Sequence, residues 1–146
     1  MDPECAFCQI VRGERPARVV GESPDALAFF PPRPVCPGHT IVIPKTHIRD
    51  LWADGSVPAA GLMQAVIRTG QAIRRALRPE GMNLISSAGQ AASQTVFHLH
   101  LHVVPRWSGD PIGTIWPPSP PLPGDLLDQT AAAIRAAYRA ISAGPP

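Results

Sequence analysis

Residues 96–104 alternate two kinds of side chain with a strict period of two. Val96, His98, His100, His102 and Val104 occupy one set of positions, and Phe97, Leu99, Leu101 and Val103 the other. A strand sends alternate side chains to opposite faces, so the pattern predicts a strand with imidazole on one face and hydrocarbon on the reverse. Successive imidazoles would stand roughly 6.6 Å apart, two strand rises, too wide to act on one atom but suited to adjacent tasks along an extended ligand. Solvated or composition-driven histidine tracts do not require a large apolar residue at every intervening position, and this run ends in Pro105-Arg106.

The remaining pattern predicts an α+β chain. Val19-Val20 and residues 26–30, separated by Gly21-Glu22-Ser23-Pro24-Asp25, read as a hairpin, residues 40–43 as a third strand and residues 82–86 as a fourth. Pro31, Pro32 and Pro34 lack backbone donors, so that stretch is a loop or an edge crossing. Leu62, Ala65, Val66, Thr69, Ile73, Ala76 and Leu77 recur at helical spacing, with Arg68, Arg74, Arg75 and Arg78 mostly off the stripe. Ser56 is the expected cap with Pro58 in the first turn, and Pro79 and Gly81 end the helix. Residues 89–93 form a small-residue turn into the histidine strand, which makes five strands around one long helix. Residues 110–124 are proline-rich and predict an arm without regular structure. Beyond Asp125, Leu127, Ala131, Ile134, Tyr138 and Ile141 mark a second helix, which frays at Ala143-Gly144-Pro145-Pro146.

A chain of 146 residues with 45% hydrophobic content suits one globular domain. Thirteen basic and eleven acidic side chains give +2 without a basic block, which argues against nucleic-acid binding by bulk charge. The acidic start Met1-Asp2-Pro3-Glu4 and the lack of any 18-residue apolar run predict a cytoplasmic protein with no membrane partner.

Three cysteines, an odd number without a secretory signal, argue against a disulfide framework. Cys5 and Cys8 form a C-x-x-C pair that by itself is redox-active, metal-binding or accidental. Thioredoxin-like chemistry needs a preceding strand, and none is predicted. Zinc needs two more ligands, and His47, just past the third strand, and His98 are the candidates. Cys36, beside Pro37-Gly38, reads as a packed loop thiol.

The run His98-Leu99-His100-Leu101-His102-Val103-Val104 resembles the signature of the histidine triad (HIT) family, His-φ-His-φ-His-φ-φ with φ apolar. Residues 37–47, Pro-Gly-His-Thr-Ile-Val-Ile-Pro-Lys-Thr-His, and residues 5–14, Cys-Ala-Phe-Cys-Gln-Ile-Val-Arg-Gly-Glu, are similar to the family in the same order. The resemblance implies a HIT-like fold: a five-stranded antiparallel sheet with one long helix, paired into a homodimer. Residues 1–110 would be the HIT domain, and residues 111–146 a proline-rich arm and short helix belonging to the same domain.

The resemblance also implies a nucleotide hydrolase acting at the α-phosphorus of a nucleoside phosphoramidate or an adenylated or dinucleotide substrate. His100 would be the nucleophile that becomes covalently nucleotidylated, Thr95 the leaving-group proton donor, and His102, as an imidazolium, and His39 would hold the non-bridging oxygens. Nucleotide phosphorolysis, nucleotidyl transfer, and a non-catalytic zinc-stabilised nucleotide-binding regulatory role are the alternatives. Cys5, Cys8, His47 and His98 match the ligands of a structural zinc in some relatives; no catalytic metal is implied.

Phe7, Ile10, Phe29 and Ile41 match positions that line a purine pocket, with ordinary core packing as the other reading. Ser87 matches a phosphate-side position, Gln94 a phosphate contact or a turn cap, and Trp116 a leaving-group contact or an interface anchor. Pro31 stands where many relatives carry a ribose-binding acceptor, Ser87 where they carry asparagine or glutamine, and Ser93 where they often carry glycine. Arg33, near Pro31, is either a phosphate contact or solvated.

Overall fold

The computed structural model describes residues 2–53, 57–116 and 118–142. The predicted cap Ser56 and the fraying end 143–146 lie outside the described residues. The elements run α1 (Ala6–Val11), β1 (Val19–Glu22), β2 (Ala26–Phe29), β3 (Thr40–Pro44), α2 (Ala59–Leu77), β4 (Gly81–Ser86), a short 3-10 turn (Gln90–Ala92), β5 (Leu101–Arg106) and α3 (Gly124–Ser142). The five strands form one antiparallel sheet in the order β1-β2-β3-β5-β4. Contacts divide the chain into two units, Met1–Gly113 and Thr114–Pro146.

In the first unit the sheet is covered on both faces, which is why β2 and β3 are buried along their whole length. On one face α2 packs its stripe of Leu62, Val66 and Ile73 against Ala26, Ala28, Val42, Leu99, Leu101 and Val103. On the other, α1 brings Phe7 onto Leu27, Phe29, Ile41 and Ile43. Leu99 is 1% exposed, and its truncation to alanine would cost about 2–5 kcal/mol. The alternation predicted for the histidine run therefore holds over residues 98–103, with Leu99, Leu101 and Val103 toward α2.

Two expectations shift. Regular β5 begins only at Leu101, because Leu99 N–H is taken by the Ile48 carbonyl at 2.6 Å and His98 N–H by the Val96 carbonyl at 2.9 Å. Phe97 is consequently 37% exposed, outside the core, with the Arg49 guanidinium 5.1 Å above its ring. At the other end the strand runs through Pro105 to Arg106. Its last rung with β3 is Val103, so the missing Pro105 N–H removes no bond on that side. Arg106 then locks the strand end, bonding both oxygens of Asp110 (2.6 and 2.9 Å), Asn83 Oδ1 (2.7 Å) and the Gly113 carbonyl (2.6 Å). The guanidinium holds the Asp110 carboxyl far below the usual range.

In the second unit, α3 has an acidic first turn and Arg139 in its last, as the helix dipole favours. Among the described residues no helix is long and apolar enough to cross a membrane.

Candidate functional site

The sheet register places the histidine run against β3, with Ile41 opposite His102 and Thr40 opposite Val103. The loop before β3 closes tightly on Gly38. Its φ is +85°, a left-handed conformation that favours glycine, and a Cβ there would also push the Leu77 Cδ1 methyl aside as the chain enters β3. His98, His100 and His39 are buried and His102 is half-buried. The His100 and His102 rings are 5.0 Å apart, and the edge of Phe7 meets His100 at 5.4 Å and His98 at 5.8 Å.

Each buried ring is held by a backbone or side-chain partner. His98 donates Nε2–H to the Pro44 carbonyl at 2.8 Å, because a carbonyl can only accept; its Nδ1 is left as a lone pair. That lone pair faces Cys5 Sγ at 3.5 Å and Cys8 Sγ at 3.6 Å, and Cys8 Sγ lies 3.3 Å from His47 Nδ1. The donor atoms of Cys5, Cys8, His47 and His98 all lie within 4.8 Å of one another. A tetrahedron with arms of roughly 2.0–2.3 Å has edges of roughly 3.3–3.8 Å; the three printed separations fall on that scale, and a small inward shift of the wider pairs would let the four side chains hold a metal ion. The Pro44 bond to the outer nitrogen of His98 is the usual support of a ligating imidazole. Burial pushes the Cys8 thiol up, so forming its thiolate calls for a cation in the cage.

His100 donates Nδ1–H to the carbonyl of His98 at 2.7 Å. Burial lowers its pKa, and the bond to the carbonyl partly offsets this. The neutral ring therefore carries its proton on Nδ1 and an unshared pair on Nε2, the state in which imidazole is a nucleophile. Beyond it, His102 Nδ1 lies 2.9 Å from His39 Nε2, and His39 Nδ1 accepts the Val35 N–H at 3.2 Å. Burial first, then the neighbouring His100 and His39, pushes His102 down to about 4, and burial lowers His39. A resting imidazolium at His102 does not fit this environment.

The other predicted residues distribute unevenly. Thr95 is exposed and has no protein partner among the described residues. Gln94 is 2% exposed; its carbonyl accepts Gly89 N–H at 2.8 Å and its amide donates to the Arg49 carbonyl at 2.7 Å, so it clamps two loops. Ser87 and Ile10 are half-buried. Phe29 and Ile41 are buried in the α1-face core, where their surfaces meet other side chains. Trp116, in the second unit, is exposed. Cys36 donates its S–H to the Pro105 carbonyl at 3.4 Å, as a packed loop thiol would. A cavity of about 560 Å³ lies on the opposite face of the sheet, between α2 and β1–β2, lined by Ala26, Ala28, Ala65 and Ile73 among others; size alone points away from the imidazoles.

The groups that orient the rings are backbone ones: the Pro44 and His98 carbonyls and the Val35 N–H. No side-chain pattern could reveal them. The one available hint was the clustering of proline around Val35, which leaves few donors in that loop.

Residues 12–109 match the family model described as HIT domain. The chain is 40% identical over 113 residues to "Protein hit" of Bacillus subtilis, covering 77% of this chain and 78% of that one. It is 34% identical over 107 residues to the Arabidopsis thaliana protein named adenylylsulfatase HINT3, covering 73% of this chain and 54% of the relative. A zinc-bound histidine triad family protein from Mycobacterium smegmatis superposes with a TM-score of 0.70 at 40% identity, over 92% of this chain and 97% of that one. Carried by the alternating triad on one face of the strand, the five-stranded sheet and these matches, the conclusion is that the chain belongs to the HIT domain family.

Proposed function

We propose that the protein is a nucleotide hydrolase that cleaves at an α-phosphorus through a covalent nucleotidyl-histidine, and that its substrate is a purine nucleoside phosphoramidate or a related adenylated compound. The observation that carries this reading is the bond from His100 Nδ1–H to the His98 carbonyl, which leaves Nε2 as a lone pair.

In the first half-reaction Nε2 forms a bond to phosphorus while the bond to the leaving amine or alkoxide breaks. The imidazolium formed is stabilised by its Nδ1–H bond to the His98 carbonyl. The leaving group takes its proton through the Thr95 hydroxyl, which is exposed and uncommitted. Water then attacks phosphorus, the P–N bond to His100 breaks, and the proton lost by the water restores the hydroxyl. The products are a nucleoside monophosphate and the free amine or alcohol. His102 stabilises a non-bridging oxygen as it gains charge. A relative named an adenylylsulfatase fits this class, since an adenylylsulfate is itself an adenylated compound.

Phe7 and Ile10 are our candidates for the base, with Phe29 and Ile41 behind them. Zinc is the metal we assign to Cys5, Cys8, His47 and His98. That donor set is the one zinc prefers for structural sites, where it ties segments together and supplies no step of the reaction. We also assign a homodimer, supported by the exposed apolar side chains of edge strand β4, Met82 and Leu84.

The test is a quenched reaction of the full chain with an adenosine phosphoramidate, followed by mass spectrometry of the protein. A mass increase of one nucleotidyl group on the His100 peptide, absent in His100→Ala together with turnover, is expected. Turnover without any adduct, or undiminished turnover in His100→Ala, would overturn the mechanism. Tight nucleotide binding with no turnover at all would instead favour the regulatory reading.

A further inference from the structure

We infer that His39 is a positioning residue that fixes which nitrogen of His102 carries the proton, and that the backbone N–H of Val35 in turn fixes His39. Its kinetic consequence rests on the hydrolase reading; its structural content does not.

A backbone N–H can only donate, so the 3.2 Å contact from Val35 makes His39 Nδ1 an acceptor. A neutral His39 then holds its one proton on Nε2. That atom faces His102 Nδ1 at 2.9 Å and donates to it, which leaves the His102 proton on its own Nε2. The two neighbouring rings are thus set to opposite characters by different backbone groups. His100 presents a lone pair at Nε2 because its Nδ1–H is donated to the His98 carbonyl; His102 presents an N–H at Nε2 because His39, oriented by Val35 N–H, donates a hydrogen bond to its Nδ1.

The arrangement has a chemical point. A phosphoryl oxygen accepts hydrogen bonds and repels lone pairs, so His102 is useful to it only in the Nε2–H form. A second proton on either ring would place two donors head-on, at Val35 N–H or between the rings. Both nitrogens of His39 are committed to protein partners, so holding a non-bridging oxygen itself would require one of those bonds to break. Val35 lies between Pro34 and Cys36-Pro37 in a loop where four of residues 31–37 are prolines with no N–H to offer.

Long-range ¹⁵N–¹H NMR of the zinc-loaded full chain at neutral pH reads each histidine tautomer directly. His102 is expected as Nε2–H and His100 as Nδ1–H. In His39→Leu, His102 should lose its fixed tautomer, and kcat on an adenosine phosphoramidate should fall about a hundredfold, the scale of a lost oxyanion donor, with KM little changed. His39→Gln, whose amide N–H can reach the same acceptor, should restore the Nε2–H form and recover about tenfold in kcat. If His39→Leu does not fold, Val35→Pro removes the donor while keeping both rings, and His102 should then show averaged tautomer shifts.

Finding His102 as Nδ1–H in the unaltered protein overturns the proposal. So does a His102 that stays Nε2–H in His39→Leu or in Val35→Pro. Restored tautomer without recovered rate in His39→Gln overturns its kinetic half. An unaltered protein with the expected tautomers but no turnover would sink the hydrolase reading and leave the positioning role standing.

Discussion

The carbonyl oxygen of His98 accepts the Nδ1–H of His100 at 2.7 Å, while the imidazole of His98 faces Cys5 and Cys8. One residue therefore takes part in both the metal cage and the proposed nucleophile, through different groups. Because the link runs through the main chain, loss of a metal held there would be expected to loosen the scaffold before it alters the chemistry of Nε2.

Metal removal should accordingly act on stability first. The cage ties Cys5 and Cys8, flanking and within α1, to His47 beyond β3 and to His98 before β5. Stripping the metal with a chelator should cost several kcal/mol, and a loss of about 3 kcal/mol lowers Tm by roughly 10 °C in a domain of this size. Turnover per folded molecule should stay within about tenfold, the lower edge of what loss of an orienting partner costs. Calorimetry with and without chelator, paired with an assay below the lowered Tm, checks both. Activity abolished in a chain that melts unchanged would contradict the structural assignment.

The pH dependence of stability has a defined sign. His102 is pushed from 6.5 to about 4 in the folded chain, chiefly by burial. Below pH 6.5 the unfolded chain takes up a proton that the folded one refuses, so falling pH favours unfolding until about pH 4 is reached. Above pH 6.5 both states are neutral at this ring and its contribution is constant. Urea melts between pH 7.5 and 4 should show a steeper loss in the unaltered protein than in His102→Asn, which lacks the titrating ring. Parallel curves would show that His102 protonates freely in the folded state.

Most of the sheet was legible because its residues obey a period of two and α2 because its stripe recurs at helical spacing. Leu99, Leu101 and Val103 declared the α2-facing side of the histidine run, and Leu62, Val66 and Ile73 the helix face that meets it. The start of β5 was not legible. It is set by the Ile48 carbonyl capturing Leu99 N–H, a contact between backbones 51 residues apart in sequence that leaves no mark on side-chain pattern. In the site, the metal donors were legible from residue type and the family resemblance. From sequence Gln94 reads as a phosphate contact ahead of a turn cap, whereas in the fold both ends of its amide bond the Gly89 and Arg49 backbones; an amide serves a ligand or two loop backbones with the same atoms, so residue type could not decide between them. The ring tautomers were out of reach for the same reason as the strand start, since carbonyls and N–H groups carry no residue identity.

Ser93 illustrates a departure with a measurable cost. It caps the 3-10 turn in the left-handed region at φ 67°, a conformation that favours the glycine the family resemblance leads one to expect there. A Cβ in that conformation costs roughly 1–2 kcal/mol, partly offset by the greater freedom that glycine has when unfolded. Ser93→Gly should therefore raise stability by about 0.5–1 kcal/mol in equilibrium urea unfolding, with the metal cage intact. A loss of stability would mean that the serine hydroxyl holds the turn in a way its backbone does not reveal.

Edge strand β4 supplies the last expectation, because an unprotected edge with apolar side chains invites pairing. Among the described residues no strand pairs with its outer side, Met82 and Leu84 are 37% and 49% exposed, and Met63 and Ile67 of α2 are 43% and 52% exposed. In a two-fold assembly each patch meets its own copy, so one substitution acts twice, and a carboxylate at position 84 would bring two like charges into the contact. Leu84→Asp should convert the sedimenting species from dimer to monomer at micromolar concentration, weakening association at least about a hundredfold, as expected for loss of a buried apolar anchor and gain of repulsion. The metal cage and the histidine tautomers should be unaffected, because Leu84 pairs with Val103, whose side chain lies in the α2-face core, on the side of the sheet away from the imidazoles. Identical sedimentation of the two proteins as dimers would place the contact on another surface, and a monomeric unaltered protein would remove the dimer from the proposed function.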